Sequence, residues 1–234
     1  MELFTENDLV GLEPEHPWAH EFEVLRFADG SVSCLPNHLF HDPLDEGAPV
    51  GELHIGRCSS LGSGSLIKFA SETQKLNIGR FVTGGMRLRF LLNGRYESRT
   101  LSTYLFAVQN VGVRNVSAPA ADDCLIKNDV WIGDEVTILS GSLIENGCII
   151  EPGSLLPRGF RSEPYGIYAG NPARLVGFRF PASIRTALLE LAWWDKPMAW
   201  IKAHNDVFLL DLTVDEKATL ERLKSLQPAS VSAE

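Results

Sequence analysis

A branched aliphatic residue recurs at every sixth position through the middle of this chain, at Ile126, Ile132, Ile138, Ile144, Ile150 and Leu156. This period fits neither an amphipathic helix nor the two-residue alternation of a strand. It is typical of a parallel β-helix, in which short strands turn corners and successive coils stack. Four residues after most of these aliphatics lies a second small or β-branched residue: Val130, Val136, Ser142, Cys148 and Ser154. The repeat therefore predicts a mainly β fold.

The same register begins earlier in the chain and is interrupted. Six-residue spacing holds from Ile55 to Ile67 and, in a new phase, from Ile78 to Phe90. Between Phe90 and Ile126 the spacing vanishes. A segment of this length that leaves a solenoid and then rejoins it is more often functional than passive. We therefore predict that this excursion loop contributes to a functional site.

The sequence divides into four parts by pattern. Residues 1–49 show no clear periodicity, so no structure is predicted for this N-terminal segment. The β-helix is predicted over residues 50–177, with the excursion loop at 91–125. Residues 178–226 are predicted to form a C-terminal helical appendage, and residues 227–234 a frayed tail.

Three short helices are predicted in the C-terminal appendage. Apolar residues between Ile184 and Leu191 fall on one helical face. Pro197 is expected to end or kink that helix, and a second short helix is predicted around residues 198–204. Thr213 and Glu216 have the spacing of a capping box, which predicts the start of a third helix.

Charge and cysteine usage exclude several classes of protein. A formal net charge of -9 argues against a general affinity for nucleic acid or for an anionic membrane. No secretory signal is visible, and no apolar run approaches the length needed to span a membrane. The four cysteines, Cys34, Cys58, Cys124 and Cys148, have no metal-ligand spacing. We therefore predict reduced thiols in a cytoplasmic protein.

Several strings outside the simple repeat occur together in this chain. They are KLNIGRF at 75–81, NG at 93–94, STYLF at 102–106, NDVWIG at 128–133, AGNPAR at 169–174 and WWD at 193–195. Together they resemble the xenobiotic acetyltransferase branch of the hexapeptide acyltransferases, which includes chloramphenicol and streptogramin O-acetyltransferases and sugar acetyltransferases. The resemblance implies a left-handed parallel β-helix, a homotrimer with active sites between subunits, and acetyl-CoA as the acyl donor.

The resemblance also implies which residues line the site. The pantetheine arm of the donor is expected to run along the coils, and the adenine and phosphates to approach the AGNPAR string, where an arginine suits phosphate. The predicted donor-binding residues are Gly133, Ser140, Gly141, Arg158, Asn171, Ala173 and Arg174. On the acceptor side, Trp131 is expected to wall the cleft. The predicted acceptor-binding residues are Tyr96, Ser102, Tyr104 and Trp131.

One departure from the family pattern concerns the catalytic base. The family carries Asn-Gly-x-x-His before the Ser-Thr-Tyr string, and that histidine deprotonates the acceptor hydroxyl. Here the spacing from Asn93 to Ser102 fits without gaps, but Glu97 occupies the position of the histidine. Glu97 could itself be the base, because burial can raise the pKa of a carboxylate toward neutrality. It could instead bind a cationic amine acceptor, or it could mark a loss of acetyl transfer.

We therefore predict an acetyl-CoA-dependent acyltransferase that acts on a hydroxyl or amine of a small molecule such as a sugar, an antibiotic or a secondary metabolite. Nothing in the sequence resembles an activated Ser or Cys nucleophile, so direct transfer is expected. The alternative is a non-transferase, which is a ligand-binding protein or an enzyme of altered chemistry on the same trimeric scaffold. His38 and His41 lack a third ligand, so no metal is expected.

Overall fold

A computed structural model describes residues 2–5, 9–39, 51–94, 98–104 and 121–227, the first of these ranges by its backbone alone. Four strands precede the repeats: β1 (Glu2–Thr5), β2 (Leu9–Leu12), β3 (Phe22–Phe27) and β4 (Val32–Pro36). The strands of the repeat region are β5 (Glu52–Ile55), β6 (Leu66–Lys68), β7 (Lys75–Ile78), β8 (Thr83–Gly84), β9 (Arg89–Leu91), β10 (Cys124–Ile126), β11 (Trp131–Ile132), β12 (Thr137–Leu139), β13 (Leu143–Ile144), β14 (Ile149–Ile150), β15 (Leu155–Leu156), β16 (Gly166–Gly170) and β17 (Ala173–Phe178).

These strands form the three faces of a parallel β-helix. Face 1 has the strand order β1-β5-β7-β10-β13, face 2 the order β17-β16-β14-β11-β8, and face 3 the order β15-β12-β9-β6. All neighbours on a face pair in parallel except β16 and β17, which form an antiparallel hairpin. Each coil thus visits the three faces in turn before the chain rises to the next coil.

The interior of the β-helix is filled by the residues of the six-residue repeat. All six aliphatic side chains from Ile126 to Leu156 are 0% exposed. The second set, from Val130 to Ser154, is no more than 1% exposed. Each fully buried branched aliphatic contributes about 1.5–3 kcal/mol relative to an exposed one. The predicted parallel β-helix and its inward-facing positions are therefore confirmed.

The corners between faces also repeat every six residues. A positive φ of 56–76° recurs at Asp129, Glu135, Gly141, Gly147, Gly153, Gly159 and Tyr165. Because the left-handed conformation costs an L-residue about 1–2 kcal/mol, glycine is favoured at these corners. The corner between faces 1 and 2 is called the first edge here, that between faces 2 and 3 the second edge, and that between faces 3 and 1 the third edge.

The N-terminal segment, for which no structure was predicted, extends two faces of the β-helix. Strand β1 pairs in parallel with β5 and lengthens face 1. Strands β2, β3 and β4 form an antiparallel sheet, and Cys34 of β4 makes a parallel bridge to Ser60. Because Ser60 in turn bridges Thr83 of β8, this sheet continues face 2.

The C-terminal appendage packs along the first edge. Its helices are α1 (Ala182–Leu191), α2 (Met198–Ala203), α3 (Asn205–Phe208) and α4 (Glu216–Ser225), with a turn of 3-10 helix at Trp193–Asp195. The Arg57 guanidinium donates to the Lys196 carbonyl at 2.6 Å, and the rings of Phe81 and Trp193 lie 4.7 Å apart. Within the described ranges, no helix is long and apolar enough to cross a membrane.

The predicted capping box at Thr213 is wrong. The N-cap of α4 is Asp215, whose carboxylate accepts from the Ala218 amide at 3.0 Å. The Thr213 hydroxyl instead donates to Asp211 at 2.6 Å, and Glu216 accepts a hydrogen bond from Ser183 of α1. Asp is as good an N-cap as Ser or Thr, so the helix begins two residues later and uses its glutamate for a tertiary contact.

Candidate active site

The excursion loop leaves and rejoins the β-helix at the third edge, between β9 of face 3 and β10 of face 1. In an uninterrupted coil, paired residues are 18 apart in sequence, as for Leu125 and Leu143. Across the excursion, Leu76 pairs with Cys124, a separation of 48 residues. The excursion therefore adds about 30 residues to a single corner without breaking the stacking of the coils above and below it.

A buried glutamine closes the base of the excursion. Gln74 is only 3% exposed. Its side-chain amide nitrogen donates to the Leu92 carbonyl at 3.2 Å and to the Asp122 carbonyl at 2.9 Å. Its oxygen accepts from the Ala70 amide at 2.7 Å. One side chain thus satisfies carbonyls on both sides of the loop. The sequence did not predict a role for Gln74, because it lies outside the six-residue repeat and outside the strings that resemble the family.

Arg158 binds the segment by which the same loop leaves β9. Its guanidinium donates to the carbonyls of Asn93 at 3.1 Å and Gly94 at 2.9 Å, and to the Ser140 hydroxyl at 2.7 Å. Ser140 is fully buried, and the Gly141 carbonyl beside it accepts from Arg161. The structure therefore brings three predicted donor-binding residues, Ser140, Gly141 and Arg158, to the root of the excursion.

The acceptor-side predictions lie further along the excursion. Ser102 is exposed, and its hydroxyl accepts from the Tyr104 amide at 3.1 Å. Tyr104 itself is 52% exposed. Glu97, the predicted base, and its neighbour Tyr96 lie outside the described residues, as does His41 of the histidine pair. Gly94, the last described residue before this gap, lies three residues before Glu97 in the sequence.

The remaining predicted residues lie on face 2 and at the second edge. Trp131 is 41% exposed on β11, between Thr83 and Ile149 of the neighbouring strands. Gly133 follows it at the second edge, and a Cβ there would lie 2.6 Å from the Pro152 ring. The absence of a side chain at this position is therefore a packing requirement, whatever ligand lies nearby.

The β16–β17 turn stacks on this second edge. The Gly170 amide donates to the Ser154 hydroxyl at 3.2 Å, and Ala173 pairs with Gly170 across the hairpin. Ala173 is buried, whereas Asn171 and Arg174 are exposed. The predicted donor-binding residues thus form two groups on either side of face 3, one at the second edge and one at the third.

Three of the four cysteines offer no activated nucleophile. Burial raises the pKa of Cys34 and Cys148, and it raises that of Cys124 to about 12. These three thiols are therefore protonated at neutral pH, and thiolate is the reactive form. Among the described residues, no group of three or more His, Cys, Asp or Glu side chains could hold a metal ion.

Comparison with known proteins identifies the class. Residues 123–158 match the family "Bacterial transferase hexapeptide (six repeats)". Over 127 residues the chain is 37% identical to a probable macrolide acetyltransferase of Lysinibacillus sphaericus, covering 52% of this chain and 69% of that one. Over 143 residues it is 34% identical to a chloramphenicol acetyltransferase of Escherichia coli, covering 58% and 67%.

A solved structure is also similar to this one. A hexapeptide-repeat acetyltransferase of Vibrio cholerae, crystallised with acetyl coenzyme A, aligns over 54% of this chain and 60% of that one, with 18% identity and a TM-score of 0.41.

The chain belongs to the hexapeptide-repeat acetyltransferases, which fold as left-handed parallel β-helices. It is accordingly an acyltransferase, as the resemblance of its strings implied.

Proposed function

We propose that this enzyme transfers an acetyl group from acetyl-CoA to a hydroxyl or amine of a small molecule, at the root of the excursion loop. The observation that carries the proposal is the attachment of Asn93 and Gly94 to Ser140 through Arg158. This attachment fixes the start of the segment that carries Glu97 against the coils. Family membership supports acetyl-CoA as the donor and argues against the non-transferase alternative.

In the proposed reaction the acceptor attacks the thioester carbonyl directly. Glu97 takes the proton from the acceptor hydroxyl, the new C–O bond forms, and the C–S bond breaks to release CoA, whose sulfur takes up a proton. If the acceptor is an amine, Glu97 binds its cationic form, which then loses a proton to water. The free amine attacks the thioester, the C–N bond forms as the C–S bond breaks, and the departing CoA sulfur takes up the proton that the nitrogen loses. The buried, protonated thiols of Cys124 and Cys148 support a direct transfer without an enzyme-bound acetyl group.

We propose that the donor lies against face 3, between the two groups of predicted residues. Ser140, Gly141 and Arg158 would then border the pantetheine at the third edge, and Arg174 at the second edge would meet the phosphates. Arg174 supports this role because it is exposed in the described chain, and its guanidinium donates to the carbonyl of its own neighbour Ala173 at 3.0 Å. Trp131, with Ser102 and Tyr104 of the excursion, would contact the acceptor.

We further propose that the enzyme is a homotrimer that works in the cytoplasm. Several large apolar side chains are exposed on the single chain, including Leu125 at 39%, Leu175 at 40% and Val176 at 63%. Leaving these surfaces in water costs free energy in proportion to their area. Light scattering at micromolar concentration should give three times the mass of one chain, and a monomer would contradict the assembly.

Acetyl-CoA turnover is the direct test of the proposed function. We expect calorimetry to detect acetyl-CoA binding, and we expect free CoA to appear when the right acceptor is added. The names of the relatives direct the first screen to chloramphenicol and a macrolide, followed by amino sugars and small amines. Acetyl-CoA should also raise the melting temperature, because a ligand that binds only the folded state stabilises it. No binding at millimolar acetyl-CoA would contradict the proposal.

A further inference from the structure

The excursion loop has two ends at the third edge, and both lie against the coil below. Its departing end is Leu92, a fully buried residue that follows β9, and its returning end is Asp122, which precedes β10. Where a chain leaves a stacked coil, its backbone groups lose their partners on the next coil, although buried backbone groups in proteins are nearly always paired. The carbonyls at the two ends therefore need partners from side chains.

Gln74 pairs both of these carbonyls with a single side-chain nitrogen. Because its Nε2 atom donates to Leu92 and to Asp122, the two ends of the excursion lie side by side. The Ala70 amide donates to the Oε1 atom of the same side chain and so fixes which side of the amide faces the two carbonyls. Both N–H groups and the oxygen of the Gln74 amide are therefore in use.

The segment that carries Gln74 is itself fixed to the coils. The Gln74 backbone carbonyl accepts from the Glu52 amide at 2.9 Å, and the amide of the next residue, Lys75, donates to the Asp123 carboxylate at 2.8 Å. The returning end of the excursion is thus attached to this segment twice. Arg158, in contrast, donates to carbonyls of the departing end. Gln74 differs from Arg158 because it joins the two ends to each other.

We propose that Gln74 is a positioning residue for acetyl transfer, because it joins the two ends of the excursion and so sets the place from which Glu97 acts. This inference rests on the proposed function, in which Glu97, five residues after Leu92 in the sequence, is the base. Gln74 is buried, so it acts through the loop and not by contact with a substrate. A displacement of about 1 Å at a reacting group can lower a rate about 100-fold.

Gln74→Met is the first test, because methionine keeps the length of the side chain and removes its three hydrogen bonds. We expect kcat for acetyl transfer to fall about 10- to 100-fold in full-length protein that circular dichroism shows to be folded. The matched control is Ser59→Ala at the first edge. Ser59 is 1% exposed, and its hydroxyl donates to the Gly79 carbonyl at 2.7 Å and accepts from the Val82 amide at 3.1 Å. This variant also loses buried hydrogen bonds between coils, but it should keep the kcat of the wild type.

Gln74→Glu separates positioning from stability by its pH dependence. A protonated carboxyl can accept from Ala70 and donate to one carbonyl, whereas an ionised carboxylate only accepts and would face two carbonyl oxygens. Burial and these oxygens raise the pKa of the introduced glutamate, so the contacts are present below that pKa and are lost as the pH rises through it. The ratio of its kcat to that of the wild type should be within about threefold of unity near pH 6 and should fall at least about tenfold by about pH 9. The ratio for Gln74→Met should stay low and constant over the same range.

Hydrogen exchange reports on the loop ends independently of turnover. The amides of residues 92–94 and 122–124 should exchange at least about tenfold faster in Gln74→Met than in the wild type or in Ser59→Ala. Unaltered exchange at these amides, an unchanged kcat in Gln74→Met, or a Gln74→Glu ratio that does not vary with pH would overturn the proposal. A wild-type enzyme without turnover would contradict the proposed function, whereas an active wild type with an equally active Gln74→Met variant would contradict only the role of Gln74.

Discussion

Replacing Glu97 with glutamine should lower kcat by roughly 10²- to 10⁴-fold, the usual contribution of a general base. Glutamine keeps the size and polarity of the side chain but cannot accept the proton of the acceptor hydroxyl. The acidic limb of the pH–rate profile should disappear in the variant, because the group that must lose its proton is gone. Steady-state kinetics with the acceptor identified by the screen measures both effects.

The matched control is Glu72→Gln, a glutamate on the exposed loop before Gln74, which should leave turnover unchanged. A Glu97→Gln variant with raised KM and an unaltered kcat would contradict the role as base and favour binding of a cationic acceptor.

Arg158→Met should also lower kcat, because it removes the hydrogen bonds that hold the carbonyls of Asn93 and Gly94 at the start of the loop. It should leave the acidic limb of the pH–rate profile in place. Glu97→His tests whether an imidazole restores the chemistry typical of the family.

Gly147→Ala should lower the free energy of unfolding by about 2–5 kcal/mol. Gly147 has a φ of 71°, so alanine there carries the cost of the left-handed conformation. In addition, its Cβ would lie 2.3 Å from the ring of Tyr165, which packs over this corner of the first edge. Urea unfolding at a fixed chain concentration measures the change.

Gly153→Ala provides the matched control for that variant. Gly153 has a φ of 69°, but a Cβ there meets no atom within 4 Å. We expect a loss of about 1–2 kcal/mol, from the backbone alone. Equal losses in the two variants would contradict a collision with Tyr165 and leave backbone conformation as the only cost.

The sequence could predict the β-helix because the repeat is local. Each coil places an aliphatic such as Ile138 inward and a turn residue such as Gly141 at the next corner, and the two choices recur with the same period. Burial and backbone conformation therefore agree at every sixth residue, so few alternative folds satisfy the pattern. For the same reason, α1 was predictable from the apolar spacing between Ile184 and Leu191.

The candidate site depends on contacts that no local pattern encodes. Gln74 reaches both sides of the excursion, and Arg158 reaches Asn93 across 65 residues of sequence. Such bonds form only after the coils have stacked, because stacking brings distant backbone carbonyls to the third edge.

The same distinction applies at the two ends of the chain. Strand β4 pairs with β3 and joins face 2 at the bridge between Cys34 and Ser60, and its own residues show no period that predicts this place. At the other end, Asp215 rather than Thr213 caps α4, and Glu216 accepts a hydrogen bond from Ser183 of α1. The six-residue period by itself therefore determined the scaffold. Tertiary packing decided which side chains surround the excursion and where α4 begins, because each depends on partners far apart in sequence.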